Sequence, residues 1–262
     1  MSHPLLHTCN LAIGYHRGKS LHVVQQHLDL ELFAGEMVCL IGPNGCGKST
    51  LLRTLAGLQR PITGTIFIEG NNLETLSARD RAENLALTLT DRVEADKMSV
   101  YDIVAMGRYP YTNHFGRLTD ADKEAVVQAL EQVRLTGMEG RYINELSDGE
   151  RQRAMIAKVL AQSTPLLFFD EPTAHLDLPN RVAIMLLLSR LAKDTGKAIL
   201  LSSHELELAM EVSGKLWLMS NFGVETGTTE ELTAAGSFGK VFQSDQFSFD
   251  PSNRRFVINK NF

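Results

Sequence analysis

Cysteine is scarce in this chain: Cys9, Cys39 and Cys46 are the only three in 262 residues, with no CxxC spacing and no nearby His pair. Such usage argues against a disulfide framework or a zinc site and fits a reducing cytosol. Long apolar runs are missing too. Stretches such as IMLLLSRLA break off well short of the ~20 residues a bilayer requires, and the opening MSHPLLHTCN lacks the basic-then-apolar order of a secretory leader. Any membrane role is therefore expected to be peripheral. Positive charge is not concentrated anywhere: 26 Lys and Arg face 31 Asp and Glu, for a formal charge of -5. Without a basic footprint, nucleic acid is not an expected partner. Repeats and low-complexity tracts are absent, and Gly and Pro occur singly at turns rather than in linkers. With 44% hydrophobic residues the length suits one large core carrying a smaller subdomain, so residues 1–262 are read as one α/β domain.

What is present alternates between two periods. LLHTCNLAIGY and HLDLELFAGEMVCLIG read as strands, with AGE as a turn and VCLI as a short run ready for burial on both faces. KSTLLRTLAGL places Leu51, Leu52, Leu55 and Leu58 at helical spacing, closed by Gly57 and Pro61. TIFIEG reads as another strand. A polar stretch follows to about Asn84, and helical patterns dominate from roughly 98 to 162, the candidate subdomain. There, Thr119 and Asp122 have the spacing of a capping box for TDADKEAVVQALEQV, whose Val126, Leu130 and Val133 share a face. PLLFFD and KAILLSS then read as buried parallel strands joined by a crossover helix of about fifteen residues.

GPNGCGKS, Gly42 to Ser49, matches GxxxxGK[ST] between a buried strand and a helix. Glycines at 42, 45 and 47 let backbone N–H groups face phosphate oxygens, the helix N-terminus adds positive potential, Lys48 reaches the β and γ phosphates, and Ser49 can hold Mg²⁺. Pro43, Asn44, Cys46 and Thr50 complete the loop. LLFFDE puts Asp170 and Glu171 at a strand end, where Asp170 suits the magnesium shell and Glu171 a base acting on water. A strand-end pair that merely caps the next helix is the plain alternative. His204 follows ILLSS at another strand end, positioned to bond a γ phosphate, although a lone His is more often structural. LSDGE, with Ser147, Asp148, Gly149 and Glu150, opens the amphipathic helix ERQRAMIAKVLAQS. Read locally, it is either a helix cap or a second anion-binding helix start.

LSDGE followed by RQR, fifteen residues before LLFFDEPT, resembles the signature motif of ATP-binding cassette (ABC) ATPases, and the similarity extends over nearly the whole chain. The resemblance implies a P-loop NTPase nucleotide-binding domain with a mostly parallel core sheet, an N-terminal antiparallel β part and the inserted helical subdomain. It further implies ATP and Mg²⁺ as cofactors and a head-to-tail homodimer. In that dimer Ser147 to Glu150 of one chain close over the nucleotide held by the phosphate loop of the other. By the same resemblance Tyr15 in LAIGY stacks on adenine, and Asp177 in AHLD contacts the opposite subunit. MGRYPY, residues 106–111, is similar to the GRxP segment in cassettes of iron chelate, haem and cobalamin importers. A helix ended by Gly107 and Pro110 explains that segment equally well. FQSDQFSFDPSNRRFVI resembles the short C-terminal strands of those importers, within an extension at about 236–262.

Two departures from the family pattern stand out. LALTLTDR offers Thr90, then Asp91, where the family carries a glutamine that touches Mg²⁺ and water; the Thr90 hydroxyl is the candidate metal ligand there, without the reach of an amide. Asp148 replaces the first signature glycine, and an outward orientation is expected for it, since a carboxylate would repel a triphosphate. Cys46, near a helix N-terminus, is expected to have a lowered pKa and to react with a maleimide until nucleotide covers it. The implied function is the ATP-hydrolysing subunit of an importer for a ferric siderophore or related metal chelate. Such a subunit sits on the cytoplasmic face of the membrane with an integral-membrane permease and, indirectly, a substrate-binding protein. A dimerisation switch with little hydrolysis and a soluble non-transport cassette are the alternatives.

Overall fold

The computed structural model describes residues 3–18, 20–89, 97–112, 116–242 and 244–259. The chain opens with β1 (Leu6–Arg17), β2 (Ser20–Leu28), β3 (Glu31–Leu32) and β4 (Met37–Ile41), and passes through the glycine loop into α1 (Lys48–Leu55). After β5 (Thr63–Ile68) and β6 (Asn71–Asn72) comes α2 (Ala78–Asn84), a helix inside the stretch read as merely polar, started by a capping box between Ser77 and Asp80. β7 (Leu85–Thr88) follows it directly.

Helices occupy the next part: α3 (Val100–Ala105), a 3-10 turn over Met106–Tyr111, α4 (Asp120–Gln132) and α5 (Asp148–Ala161). Thr119 caps α4, with Asp122 answering in a capping box, and Val126, Leu130 and Val133 are buried. The remainder alternates: β8 (Leu166–Phe169), α6 (Leu178–Thr195), β9 (Ala198–Ser202), α7 (Leu206–Val212), β10 (Lys215–Ser220) and β11 (Gly223–Gly227). Two short helices, α8 (Thr229–Ala234) and α9 (Ser237–Val241), lead to the hairpin β12 (Phe247–Asp250) and β13 (Arg255–Ile258).

Two sheets result. The core sheet runs β11-β10-β4-β9-β8-β7, parallel throughout except for the β10–β11 hairpin. The second is antiparallel, ordered β2-β1-β5-β6 with β3 beside β1. This is the expected α/β class with a mostly parallel sheet and an antiparallel N-terminal part.

The two-residue period of the strands sorts the core. Cys39, Ile41, Leu167, Phe169, Ile199, Leu201, Leu216 and Leu218 face the layer formed by α3 to α6. Val38, Leu40, Phe168, Leu200 and Trp217 face the other way, onto Leu51, Leu52 and Leu55 of α1 and the antiparallel sheet. Both faces are covered, so these strands are continuous apolar runs rather than alternating ones. α1 thus lies between two sheets, with its N-terminus at the end of β4.

Candidate nucleotide site

The phosphate loop is shaped by close approaches from behind. A Cβ at Gly42 would collide with the Met219 carbonyl at the end of β10, and one at Gly47, where φ is 109°, would collide with the Val24 side chain. Only glycine fits either place. Gly47 starts α1 with no side-chain cap and no acid in the first turn, so the positive end of the helix faces the cleft. The Lys48 side chain folds back over the loop, donating from Nζ to the carbonyls of Gly42 at 2.8 Å and Pro43 at 3.2 Å. Burial lowers its pKa from the ordinary lysine value, opposed by Cys46, Glu171 and Asp170 nearby.

β8 and β9 supply the facing wall. The backbone N–H of Asp170 donates to Thr88 of β7 at 3.0 Å, which holds the turn after β8. Its Oδ1 accepts hydrogen bonds from Ser49 Oγ at 3.2 Å and Ser202 Oγ at 2.6 Å. Ser202 in turn accepts the backbone N–H of Glu171 at 2.9 Å, so one buried hydroxyl orients both carboxylate residues. Glu171 has φ of 51°, a left-handed conformation that a non-glycine residue keeps only when its surroundings hold it. Its Oε1 meets Nε2 of His204.

Lys48, Ser49, Glu171 and His204, together with Tyr15 and His22, line one open cleft of ≈ 630 Å³. Tyr15 is 45% exposed, its ring 5.1 Å from that of His22 across the β1–β2 hairpin. Chemically, the loop can take a polyphosphate, Ser49 and Asp170 offer hard oxygen donors to a divalent cation, and the Glu171–His204 pair can accept a proton from water.

A family model for ABC transporters matches residues 25–174. The chain belongs to the ABC transporter family. Among relatives, it is 40% identical to an uncharacterized ABC transporter ATP-binding protein of Methanocaldococcus jannaschii, over 84% of this chain and 74% of the relative. It is 36% identical to the iron(3+)-hydroxamate import ATP-binding protein FhuC of Bacillus subtilis, over 92% and 88%. To the ferric enterobactin transport ATP-binding protein FepC of Escherichia coli it is 34% identical, over 88% and 84%. Among solved structures, a putative metal-chelate type ABC transporter in an inward-facing conformation superposes with a TM-score of 0.79 at 28% identity, over 97% of this chain and 96% of that one. The protein is therefore an ATPase of the ABC type, and no helix among its described residues is long and apolar enough to cross a membrane.

Of the residues singled out in the sequence, Tyr15, Asn44 to Thr50, Glu171 and His204 line the cleft, and Asp170 joins it through Ser49. The signature does not. No residue of 146–150 is among the cleft's described lining. Ser147 instead caps α5: its N–H and Oγ both donate to Glu150 Oε2 at 2.8 Å, while Oγ accepts the Glu150 N–H at 3.3 Å. These bonds hold the Glu150 carboxyl below its usual range. Asp148 points outward into an ion pair with Arg151 at 3.1 Å. Gly149 lies against Asn180, whose N–H and side-chain amide donate to Asp177 Oδ1 at 3.2 and 2.7 Å, so Asp177 caps α6 beside the signature. Thr90 lies outside the described residues.

Cys46 requires a correction. Its backbone belongs to the loop, but the residue is only 3% exposed, and burial raises the thiol pKa against the opposing pull of Lys48. Desolvation outweighs the helix terminus, so a reactive, alkylation-prone thiolate is not what the fold provides. Sequence reasoning also passed over Ser202, His22, Asn221 and Gln25. The amide of buried Gln25 donates to the Ser220 carbonyl and to that of Cys46 at 3.5 Å, tying β2 beneath the loop. The one available signal was a polar residue inside an otherwise strand-like run.

Proposed function

We propose that the protein is the ATPase subunit of an importer for a ferric siderophore or related metal chelate, working as a homodimer on an integral-membrane permease. The observation that carries the dimer is the separation of the signature from the cleft: Ser147 and the phosphate loop belong to one chain yet do not line one site. Two chains arranged head to tail complete two sites. The names of the relatives, iron(3+)-hydroxamate import and ferric enterobactin transport, support the cargo class. A substrate-binding protein outside the membrane is the indirect partner, and the cytoplasmic face is the location.

In this reading Tyr15 stacks on adenine, the loop from Gly42 to Thr50 cradles the phosphates, and Lys48 leaves the Gly42 and Pro43 carbonyls for the β and γ oxygens. The paired oxygens of Ser49 and Asp170 fit Mg²⁺, which when bound offsets negative charge on the phosphates. Ser202 keeps Asp170 and Glu171 in register. Glu171 orients water and takes its proton, while His204 beside it bonds the γ phosphate. Asp177 holds the α6 terminus next to the partner-facing signature. The residues at 98–162 act as the helical subdomain that carries Ser147, and 236–262 as a C-terminal extension.

The test is purification from native membranes in mild detergent with partners identified by mass spectrometry. A permease with many membrane spans supports the importer subunit. Recovery of soluble partners alone overturns it.

A further inference from the structure

The physical role of MGRYPY was left open by sequence. In the structure it is the 3-10 turn between α3 and α4, and Gly107 packs so closely on α5 that a Cβ would strike the Lys158 carbonyl. Arg108 enters the protein there, its side chain 10% exposed. Nε donates to Asp122 Oδ1 at 2.9 Å, and Nη1 to the Ala161 carbonyl at 2.8 Å and Ser163 Oγ at 3.2 Å. Its guanidinium lies 3.9 Å from the centre of the Tyr111 ring, whose hydroxyl donates to the Gln162 carbonyl at 2.9 Å. Cation and hydroxyl therefore converge on the C-terminal end of α5, whose last carbonyls lack helical partners and attract positive charge.

Gln162 extends the connection. Its side-chain amide donates to the carbonyls of Ala82 at 2.6 Å and Leu85 at 3.1 Å, at the end of α2 and the start of β7. β7 pairs with β8 and accepts the Asp170 N–H at Thr88. One end of α5 is thus held to the strand that also holds Asp170. The other end carries Ser147, roughly 22 Å away at ~1.5 Å per residue. A tilt of about 5° at the anchor would move Ser147 by about 2 Å over that length. Displacements of about 1 Å at a reacting group can cost about 100-fold in rate.

We propose that Arg108, Tyr111 and Gln162 are positioning residues for ATP hydrolysis: they fasten the C-terminal end of α5 to β7, so that Ser147 reaches the partner subunit's nucleotide at a set angle. The inference rests on the head-to-tail dimer proposed above and assigns the GRYP segment a task in it. A purely structural anchor would affect folding but would not communicate with Ser147.

A double-mutant cycle separates the two. Gln162→Met keeps the side chain's length and leaves the phosphate loop untouched. Its monomer affinity for a fluorescent ATP analogue should match the parent and its thermal midpoint should drop only as far as two lost hydrogen bonds dictate, while kcat falls about 2- to 30-fold, the range in which remote positions alter coupling. Added to Ser147→Ala, it should lower kcat no further, although independent sites this far apart combine additively in free energy. Arg108→Lys, which retains charge beside Asp122 but cannot span Asp122, Ala161 and Ser163 together, should behave alike. Multiplicative losses, or a parallel loss of monomer affinity, would overturn the anchoring. A silent Gln162→Met beside a damaging Ser147→Ala removes this inference alone; a silent Ser147→Ala removes the head-to-tail reading and this inference with it.

Discussion

Two helix N-termini in this protein present the same positive end of a helix and use it in opposite ways. α1 begins at Gly47 with no side-chain cap and no acid in its first turn, beside a half-folded-back Lys48. α5 begins at Ser147 with a complete capping box and both Asp148 and Glu150 in its first turn. The positive potential of α1 is left for an outside anion. That of α5 is already answered by the Glu150 carboxylate, which takes the donors that a phosphate would otherwise meet. The first end is open to an anion; at the second, in the proposed dimer, an incoming phosphate would have to win those donors from Glu150. In the proposed head-to-tail dimer, the contrast would let one chain bind nucleotide alone and yet depend on a second chain to hydrolyse it.

Glu171→Gln should have the largest effect, removing the base while leaving the α1 end intact. Hydrolysis is expected to fall by about 100- to 10,000-fold with ATP affinity retained, and gel filtration with Mg-ATP should show a persistent dimer. Rapid turnover by this variant would take the base role away from Glu171. Ser147→Ala attacks the α5 end instead: kcat should drop about 100-fold, as when a donor to the reacting centre is lost. Nucleotide binding to the monomer, followed by calorimetry, should not change. Equal loss of binding would erase the distinction between the two ends.

Glu150→Gln sharpens the comparison by weakening the internal competitor. The helix should lose about 0.3–1 kcal/mol of dipole stabilisation at its exposed N-terminus, seen as a slightly lower denaturant midpoint. ATP-driven dimerisation in the Glu171→Gln background should tighten at the same time. If it weakens, the Glu150 carboxylate is helping rather than competing. The smallest effect concerns acid. Hydrogen bonds from Ser147 lower the folded pKa of Glu150 below its ordinary 4.5, so its contribution to stability is present above 4.5 and lost as pH falls through the lower folded value. Thermal midpoints measured across that window should fall less steeply in Glu150→Gln than in the parent.

Much of the site could be read locally. The glycine loop, the capping boxes at Thr119 and Ser147 and the apolar runs of β4, β8 and β9 all depend on residues within seven positions of one another. Cys46 shows where local reading failed. Its nearness to a helix N-terminus suggested an activated thiol, but the packing of β2 and the loop buries it, and burial decides the sign of the shift. α2 was missed because its polar composition shows no apolar stripe, although the Ser77–Asp80 spacing was available.

Sequence alone determined which segments alternate, where helices start, and that a polyphosphate loop precedes a pair of strand-end carboxylates. Those features rest on short-range periodicity, capping and glycine's freedom of conformation. Tertiary structure decided that Asp170 meets Ser49 across 121 positions, that Ser202 orients both acids, that the signature lies outside the cleft, and that Arg108 grips the far end of α5. Each of those depends on which strands become neighbours in the sheet and which helix ends they bring together, and no local pattern encodes that.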